Sequence, residues 1–321
     1  MLAIVLVGAS LSILYLAPRL DAWETITVGH VPMESFAVLY VAESQQFFKQ
    51  HNLNVSIEDY ATGATAVDAL VNGDVDVAGS SEYVVALNAV EQQNISIVTA
   101  CADSELIVLI ARTDRGITNA SDLSGQKIGV AQKTVAEFYL GQFLQTNDLD
   151  MQDVTIVNVV PAQFVDAIVN GSVDAVVTWE PYTDQAISML QTGIVSWSLN
   201  ADTPPYSVLS CRNDWITTHT SAINRFTKSL AQAQEYIESH PTEAQQIIKN
   251  RFNYTDSYIS TVWDRNNFNL SLTQTLLKSM QDESTWLINN NLTTQKTAPT
   301  ITNYVNTSAL KAIKPEAVTI P

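Results

Sequence analysis

The chain contains 321 residues, 46% of them hydrophobic and 15% charged, enough apolar material for two packed domains and a composition that excludes a disordered polypeptide. With 33 Asp and Glu against 16 Lys and Arg, the net charge is −17 and the isoelectric point is near 4.4. Nucleic acid and anionic membrane surfaces are thereby excluded as partners, since both demand a basic footprint.

Residues 2–16 form an apolar run interrupted by Gly8, Ser10 and Ser12, so residues 1–20 read as a signal segment or membrane anchor. The run is shorter than the ~20 residues of a full span. It has no basic n-region and no clear A-x-A site follows, and both the cleaved and the tethered form stay open. No Cys lies just after it, which argues against a lipid anchor. The sequons at Asn54, Asn94, Asn119, Asn170, Asn253, Asn269, Asn291 and Asn306 suit export, although an Asn- and Thr-rich chain also produces such triplets by accident. In an exported protein Cys101 and Cys211, each closing an apolar run, are either a disulfide or two buried free thiols.

Beyond this segment, residues 25–29 read as a strand and residues 36–50 as an amphipathic helix with Phe36, Leu39, Tyr40 and Phe47 on its apolar side. Residues 55–60 are a second strand, and Thr62-Gly63-Ala64-Thr65 opens a second helix. That helix runs into D-A-L-V-N-G-D-V-D-V-A-G-S-S-E at 68–82. There Gly73 supplies a left-handed cap, residues 75–78 a buried strand, and the loop after it carries Glu82. Short connections make this a β-α-β-α-β unit with parallel strands.

The same block returns 98 positions later as D-A-I-V-N-G-S-V-D-A-V-V-T-W-E at 166–180, with eight identities in register, Gly171 at the cap and Glu180 on the loop. Ahead of it a strand at 127–131, a helix at 134–146 and a strand at 154–159 repeat the order of the first unit. The chain is therefore of the α/β class, with two doubly wound parallel-sheet lobes. Apolar strands at 96–101 and 106–111 followed by a polar stretch mark one crossing between lobes, and residues 200–205 before a strand at 206–211 mark the other. The first lobe is expected over 24–112 and 204–321 and the second over 113–203, joined by a two-crossing hinge. From 221 onward the pattern is helical, with breaks at His240-Pro241, Asn253-Tyr254 and 289–291, and these helices are expected to cover the first lobe.

Open parallel sheets bind ligands at the carboxyl ends of their strands, where loops meet helix N-termini. That rule gathers Glu34, Ser35, Phe36, Gly63, Thr65, Ser80, Ser81 and Glu82 from one lobe, Thr134, Glu137, Trp179, Glu180 and Tyr182 from the other, and Asp103 from the link. A lining with five carboxylates and with Lys133 as its one base favours an amine, a pyrimidine-like heterocycle or another polar or aromatic solute over a simple anion. The same acids fit equally as first-turn caps of the helices they precede, and Tyr83 and Tyr182 fit a core. The four histidines have no metal-ligand spacing, and G-x-S-x-G, P-loop, G-x-G-x-x-G and C-x-x-C patterns are absent. No catalytic residue, metal or cofactor is expected. A glutamate couple of the glycosidase kind has no other support in the sequence.

The runs E-S-Q-Q-F-F-K-Q-H-N-L-N-V (43–55), A-L-V-N-G-D-V-D-V (69–77), D-L-S-G-Q-K-I-G-V (122–130), T-V-A-E-F-Y-L (134–140), T-W-E-P-Y (178–182) and N-Y-V-N-T-S-A-L (303–310) resemble the solute-binding proteins of nitrate, sulfonate, taurine and bicarbonate ABC importers, with the thiamine-pyrimidine and riboflavin binders. The resemblance spans roughly residues 25–321. It implies a type II periplasmic-binding-protein fold and an extracytoplasmic monomer that closes on a small solute. It also implies delivery to an ABC permease driven by a separate ATPase. The family's ligand loops map onto 33–36, 63–65, 80–82, 133–137 and 179–182. Sulfonate binders carry a Gly-Ser-rich turn where this chain has Lys133-Thr134-Val135-Ala136-Glu137, so a sulfonate or nitrate binder is the alternative on this fold. A pyrimidine-synthase-like enzyme is a further one, although the Cys-rich signature of that relative is missing.

Overall fold

A computed structural model of the chain describes residues 22–104, 107–199 and 204–320; the apolar N-terminal segment lies outside the described residues. Eleven strands form two sheets among them. The first contains β1 (Glu24–His30), β2 (Leu53–Asp59), β3 (Val77–Ser81), β4 (Ile95–Ser104), β10 (Tyr206–Arg212) and β11 (Asn266–Asn267), in the order β11-β4-β10-β3-β1-β2. The second contains β5 (Val108–Arg112), β6 (Lys127–Val130), β7 (Thr155–Asn158), β8 (Ala175–Thr178) and β9 (Ile194–Ser198), in the order β7-β6-β8-β5-β9.

The duplication is visible in the pairing. β2-β1-β3 and β7-β6-β8 are two parallel trios, each wound by the helices between its strands. The remaining strands are antiparallel: β10 runs between β3 and β4, and β5 between β8 and β9. Each sheet is thus a parallel trio extended by the strands that carry the chain between the sheets. Leu109, Ile110 and Ala111 pair with Val177, Val176 and Ala175, so β5 belongs to the second sheet. The first crossing therefore lies between Ser104 and Val108, ahead of the boundary expected after residue 112.

The helices are α1 (Ala37–Ser44), α2 (Phe47–Gln50), α3 (Gly63–Asn72), α4 (Glu82–Val90), α5 (Val135–Thr146), α6 (Phe164–Asn170) and α7 (Tyr182–Leu190). The C-terminal part adds α8 (Asn213–Thr218), α9 (Thr220–Ser239), α10 (Pro241–Phe252), α11 (Asp256–Trp263), α12 (Gln274–Asn289) and α13 (Ser308–Ile313). The helix expected over 36–50 is divided because Gln46 takes φ 61°, which interrupts the i to i−4 ladder. Gly73 and Gly171 both cap in the left-handed region, at φ 86° and 75°, where a residue with a Cβ is strained. Pro241 at the first position of α10 and left-handed Asn253 at its end set the boundaries read from the sequence.

One buried cluster surrounds the first sheet and includes Phe36, Leu39, Leu53, Leu70, Phe226 and Leu230. Phe226 of α9 stacks on Phe48 at 5.4 Å, which fixes the C-terminal helices over the first unit as expected. The largest cluster of the second sheet is not confined to it: Tyr83 and Val90 of α4 and Trp286 and Leu287 of α12 pack with Leu109, Ile128, Phe138 and Leu140. Trp286 meets Phe138 edge-on at 5.5 Å. At Gly141 an added Cβ would lie 2.5 Å from the Trp286 ring, so α5 needs glycine there for α12 to approach. Cys101 and Cys211 are buried free thiols on neighbouring strands, the second of the two readings left open by the sequence.

Gly141→Val should lower stability by about 1–3 kcal/mol, the usual cost of overpacking a core, as read by chemical denaturation, because the added side chain meets the indole directly.

Candidate functional site

The chain passes from β4 to β5 and returns from β9 to β10, and the two passages run side by side. Tyr206 pairs with Asp103 on one side and Val108 with Ser198 on the other. The Ser104 N–H donates to the Pro205 carbonyl at 3.2 Å, and the Leu199 N–H donates to the Ile107 carbonyl at 2.9 Å. A cleft with about 700 Å³ of empty space, partly open to solvent, lies beside these passages. Both sheets present strand ends to it.

From the first unit the cleft receives Val31, Met33 and Phe36 after β1, Thr62 and Gly63 at the start of α3, and Ser80, Ser81 and Val84 at the start of α4. The second unit supplies Thr134, Val135 and Trp179, and the passages supply Ser104, Ile107, Pro205, Tyr206 and Ser207. The walls are mainly apolar and aromatic, with hydroxyls interspersed. Trp179 is set by an edge-on contact with Phe164 at 5.1 Å, and Tyr182 packs on the same ring at 5.7 Å. Gly63 and Val135 are the first residues of α3 and α5, and their N–H groups have no acceptor within their own helices.

Of the residues expected from the sequence, Phe36, Gly63, Ser80, Ser81, Thr134 and Trp179 line the cleft. Glu34, Ser35, Thr65, Glu82, Asp103, Glu137, Glu180 and Tyr182 do not. Ser35 is buried and accepts from the Ser207 hydroxyl at 2.8 Å, while Thr65 closes a capping box with Thr62. The acidic lining does not form, because the carboxyls take donors from the protein itself. Glu34 accepts from the Tyr254 hydroxyl at 3.2 Å, Glu137 from the Lys133 N–H at 2.9 Å, and Glu180 from the Asp184 N–H at 3.2 Å. Glu82 accepts from the Tyr206 N–H at 3.0 Å and the Ser279 hydroxyl at 3.3 Å, and Asp103 from the Asn267 amide at 3.0 Å. Glu137 and Glu180 thus serve the first turns of α5 and α7, the capping role that the sequence left level with ligand contact.

Burial also changes their charge. Desolvation pushes the Glu34 carboxyl up to about 7 and that of Glu82 up to about 8, and it raises Glu137 and Glu180 above the ordinary range. Arg265, ahead of β11 in the first sheet, stands 3.8 Å from Glu180 in the second. With the Arg265 side chain 44% exposed, this pair spans the two units at little energetic gain. Among the described residues no group of three His, Cys, Asp or Glu is placed to hold a metal ion, and no helix is long and apolar enough to cross a membrane.

Sequence reasoning missed Tyr206, Ser207, Pro205, Ile107, Val84 and Val31. Most lie on or beside the crossings, and the available signal was topological: strands that change sheets next to a cleft must also wall it.

The profile of the family described as NMT1/THI5 like matches residues 34–244, and the chain belongs to that family. A protein of Brucella abortus (strain 2308) named as a binding protein is 22% identical over 215 residues, which cover 66% of this chain and 66%, just under two thirds, of the relative. The taurine-binding periplasmic protein of Escherichia coli (strain K12) is 24% identical over 203 residues, 61% of each chain. Among solved structures, the alkanesulfonate-binding protein SsuA from Xanthomonas axonopodis pv. citri, bound to MOPS, superposes with a TM-score of 0.78 at 15% identity, covering 90% of this chain and 100% of that one. The fold is that of the periplasmic binding proteins, two α/β units with a cleft between them.

A carboxyl raised from its ordinary 4.5 to about 7 binds a proton in the folded state that the unfolded state has lost, so its contribution to stability is complete below 4.5 and is lost as pH rises through 7. Glu34→Gln should therefore gain on the parent by on the order of 3 kcal/mol between pH 4.5 and pH 8, read as the difference in unfolding free energy.

Proposed function

We propose that the protein is the extracytoplasmic solute-binding component of an ABC importer, which captures a small solute by closing its two units about the paired crossings and presents it to a membrane permease driven by an ATPase. The observation that carries this reading is the position of the cleft: both sheets and both crossings contribute walls to it, so a solute held there bridges the parts that move. Its relatives named for binding taurine and alkanesulfonate point the same way.

The cleft suits a solute with an aromatic or compact apolar body and one acceptor-rich head. Phe36, Trp179 and Tyr206 offer faces to the body, while the first amides of α3 and α5 and the Ser81 hydroxyl offer donors to the head. A simple amine loses the support that the acidic reading lent it, since none of the five carboxylates lines the cleft. No covalent chemistry is assigned. Glu82 and Glu180 could act as a hydrolytic couple only if both reached a substrate, and both are buried away from the lining.

A thermal-shift screen of aromatic and aliphatic sulfonates, pyrimidines, simple amines and nitrate should give its largest stabilisation with a compound that joins a ring to an acceptor head. Stabilisation by simple amines alone would defeat this solute class, and steady turnover of any compound would defeat the binding role. Trp179→Ala should weaken the best compound by about tenfold, measured by calorimetry, for loss of one aromatic face.

A further inference from the structure

Glu82 and Glu283 are both fully buried, yet their surroundings differ. The Glu82 carboxyl gathers the Tyr206 N–H, the Ser279 hydroxyl and the first amides of its own helix. Both oxygens of Glu283, one helical turn beyond Ser279 on α12, lack a hydrogen-bond partner among the described residues. An ionised carboxylate in that position would lose its hydration without replacement, so Glu283 keeps its proton. The charges that act on it are those of Glu82 and Asp282, both acidic, which holds it neutral more firmly. Glu82, with its donors, is the member of the pair that can carry charge.

Tyr206 and the adjoining Ser207 wall the cleft, and Tyr206 is the first residue of β10 after the second crossing. The Glu82 carboxyl thus ties the end of the crossing to α4 and α12. We propose that Glu82 is a positioning residue for the cleft, that the pair it forms with Glu283 passes from two protons to one when Glu82 ionises, and that release of this proton to bulk solvent tightens the grip of Glu82 on the Tyr206 amide. A hydrogen bond to a carboxylate is shorter and stronger than one to the neutral acid. Protonation would therefore loosen one wall of the cleft without touching the solute. Because Tyr206 matters here as a wall of the cleft, the inference rests on the solute-binding reading for its consequence, but not for its chemistry.

The titratable groups that face the pair are few. Tyr83 of α4 feels the charges of Glu137 on α5 and Glu283 on α12, Asp282 acts from α12, and Asp103 of β4 acts on the Tyr206 phenol. The phenols of Tyr83 and Tyr206 are both raised by burial and stay protonated near neutrality. Glu34 titrates in the same range, at about 7, and is removed by working in a Glu34→Gln background.

The test follows the backbone amide of Tyr206 by NMR as pH rises from about 6 to about 10, a window that brackets the titration, and needs no solute, so its failure and that of the solute screen are read apart. The amide proton should move downfield with a midpoint at about 8. Glu283→Gln exchanges one neutral group for another and should leave that midpoint in place, whereas Glu82→Gln should abolish the titration. The Glu34→Gln background decides first: a Tyr206 amide that does not titrate there overturns the proposal whatever the further variants do. A titration that survives Glu82→Gln, or whose midpoint falls by about a unit or more in Glu283→Gln, overturns it as well.

Discussion

Two antiparallel pairings, β4 with β10 and β5 with β9, bring both connections between the sheets to one place, and the cleft takes its form from them. Parallel trios alone would be two separate α/β units, each with loops at its strand ends and no reason to face the other. Once the chain crosses twice at adjacent positions, the two sets of strand ends are held opposite one another. Residues on the crossings, Ser104, Ile107 and 205–207, then become walls. The pairing is also what permits bending, because adjacent strands can flex together without breaking either sheet.

A second attachment limits that motion. The core of the second sheet takes in Tyr83, Val90, Trp286 and Leu287 from the first unit, with Gly141 leaving room for the indole. The two units meet through a packed apolar seam as well as through the strands. Any closure must slide or rotate about that seam, since close-packed side chains resist separation. The buried pair Glu82 and Glu283 lies on the helices that form the seam, and so polar and apolar constraints on closure share two elements.

Much of the architecture was legible in the chain. The repeated blocks at 68–82 and 166–180 exposed the duplication, and Gly73 and Gly171 cap where their spacing requires. Helix boundaries at Pro241 and Asn253 follow from local backbone chemistry, which neighbouring residues decide. The placement of β5 was less legible. A short apolar run such as 106–111 pairs equally well in either sheet, and only the register with β8 and β9 selects one. The site shows the same division. Phe36, Gly63, Ser81 and Trp179 sit at strand ends and helix starts fixed by the topology of each trio, whereas Ser207 and Tyr206 became cleft residues through the pairing of β10 with β3 and β4, strands far from it in the chain.

The sequence by itself determined the two α/β units, their caps and the loops that face one another, because these depend on periodicity and turn chemistry over a few residues. Only the tertiary structure decided what the acidic residues do. Whether a glutamate at the start of a helix reaches a solute or turns back to amides and hydroxyls depends on donors supplied from afar, such as Tyr206 and Ser279 for Glu82 and Tyr254 for Glu34. Burial raises the carboxyls against the pull of those donors, and a residue that reads as full charge in the sequence becomes, in the fold, a partly protonated group held by the protein itself.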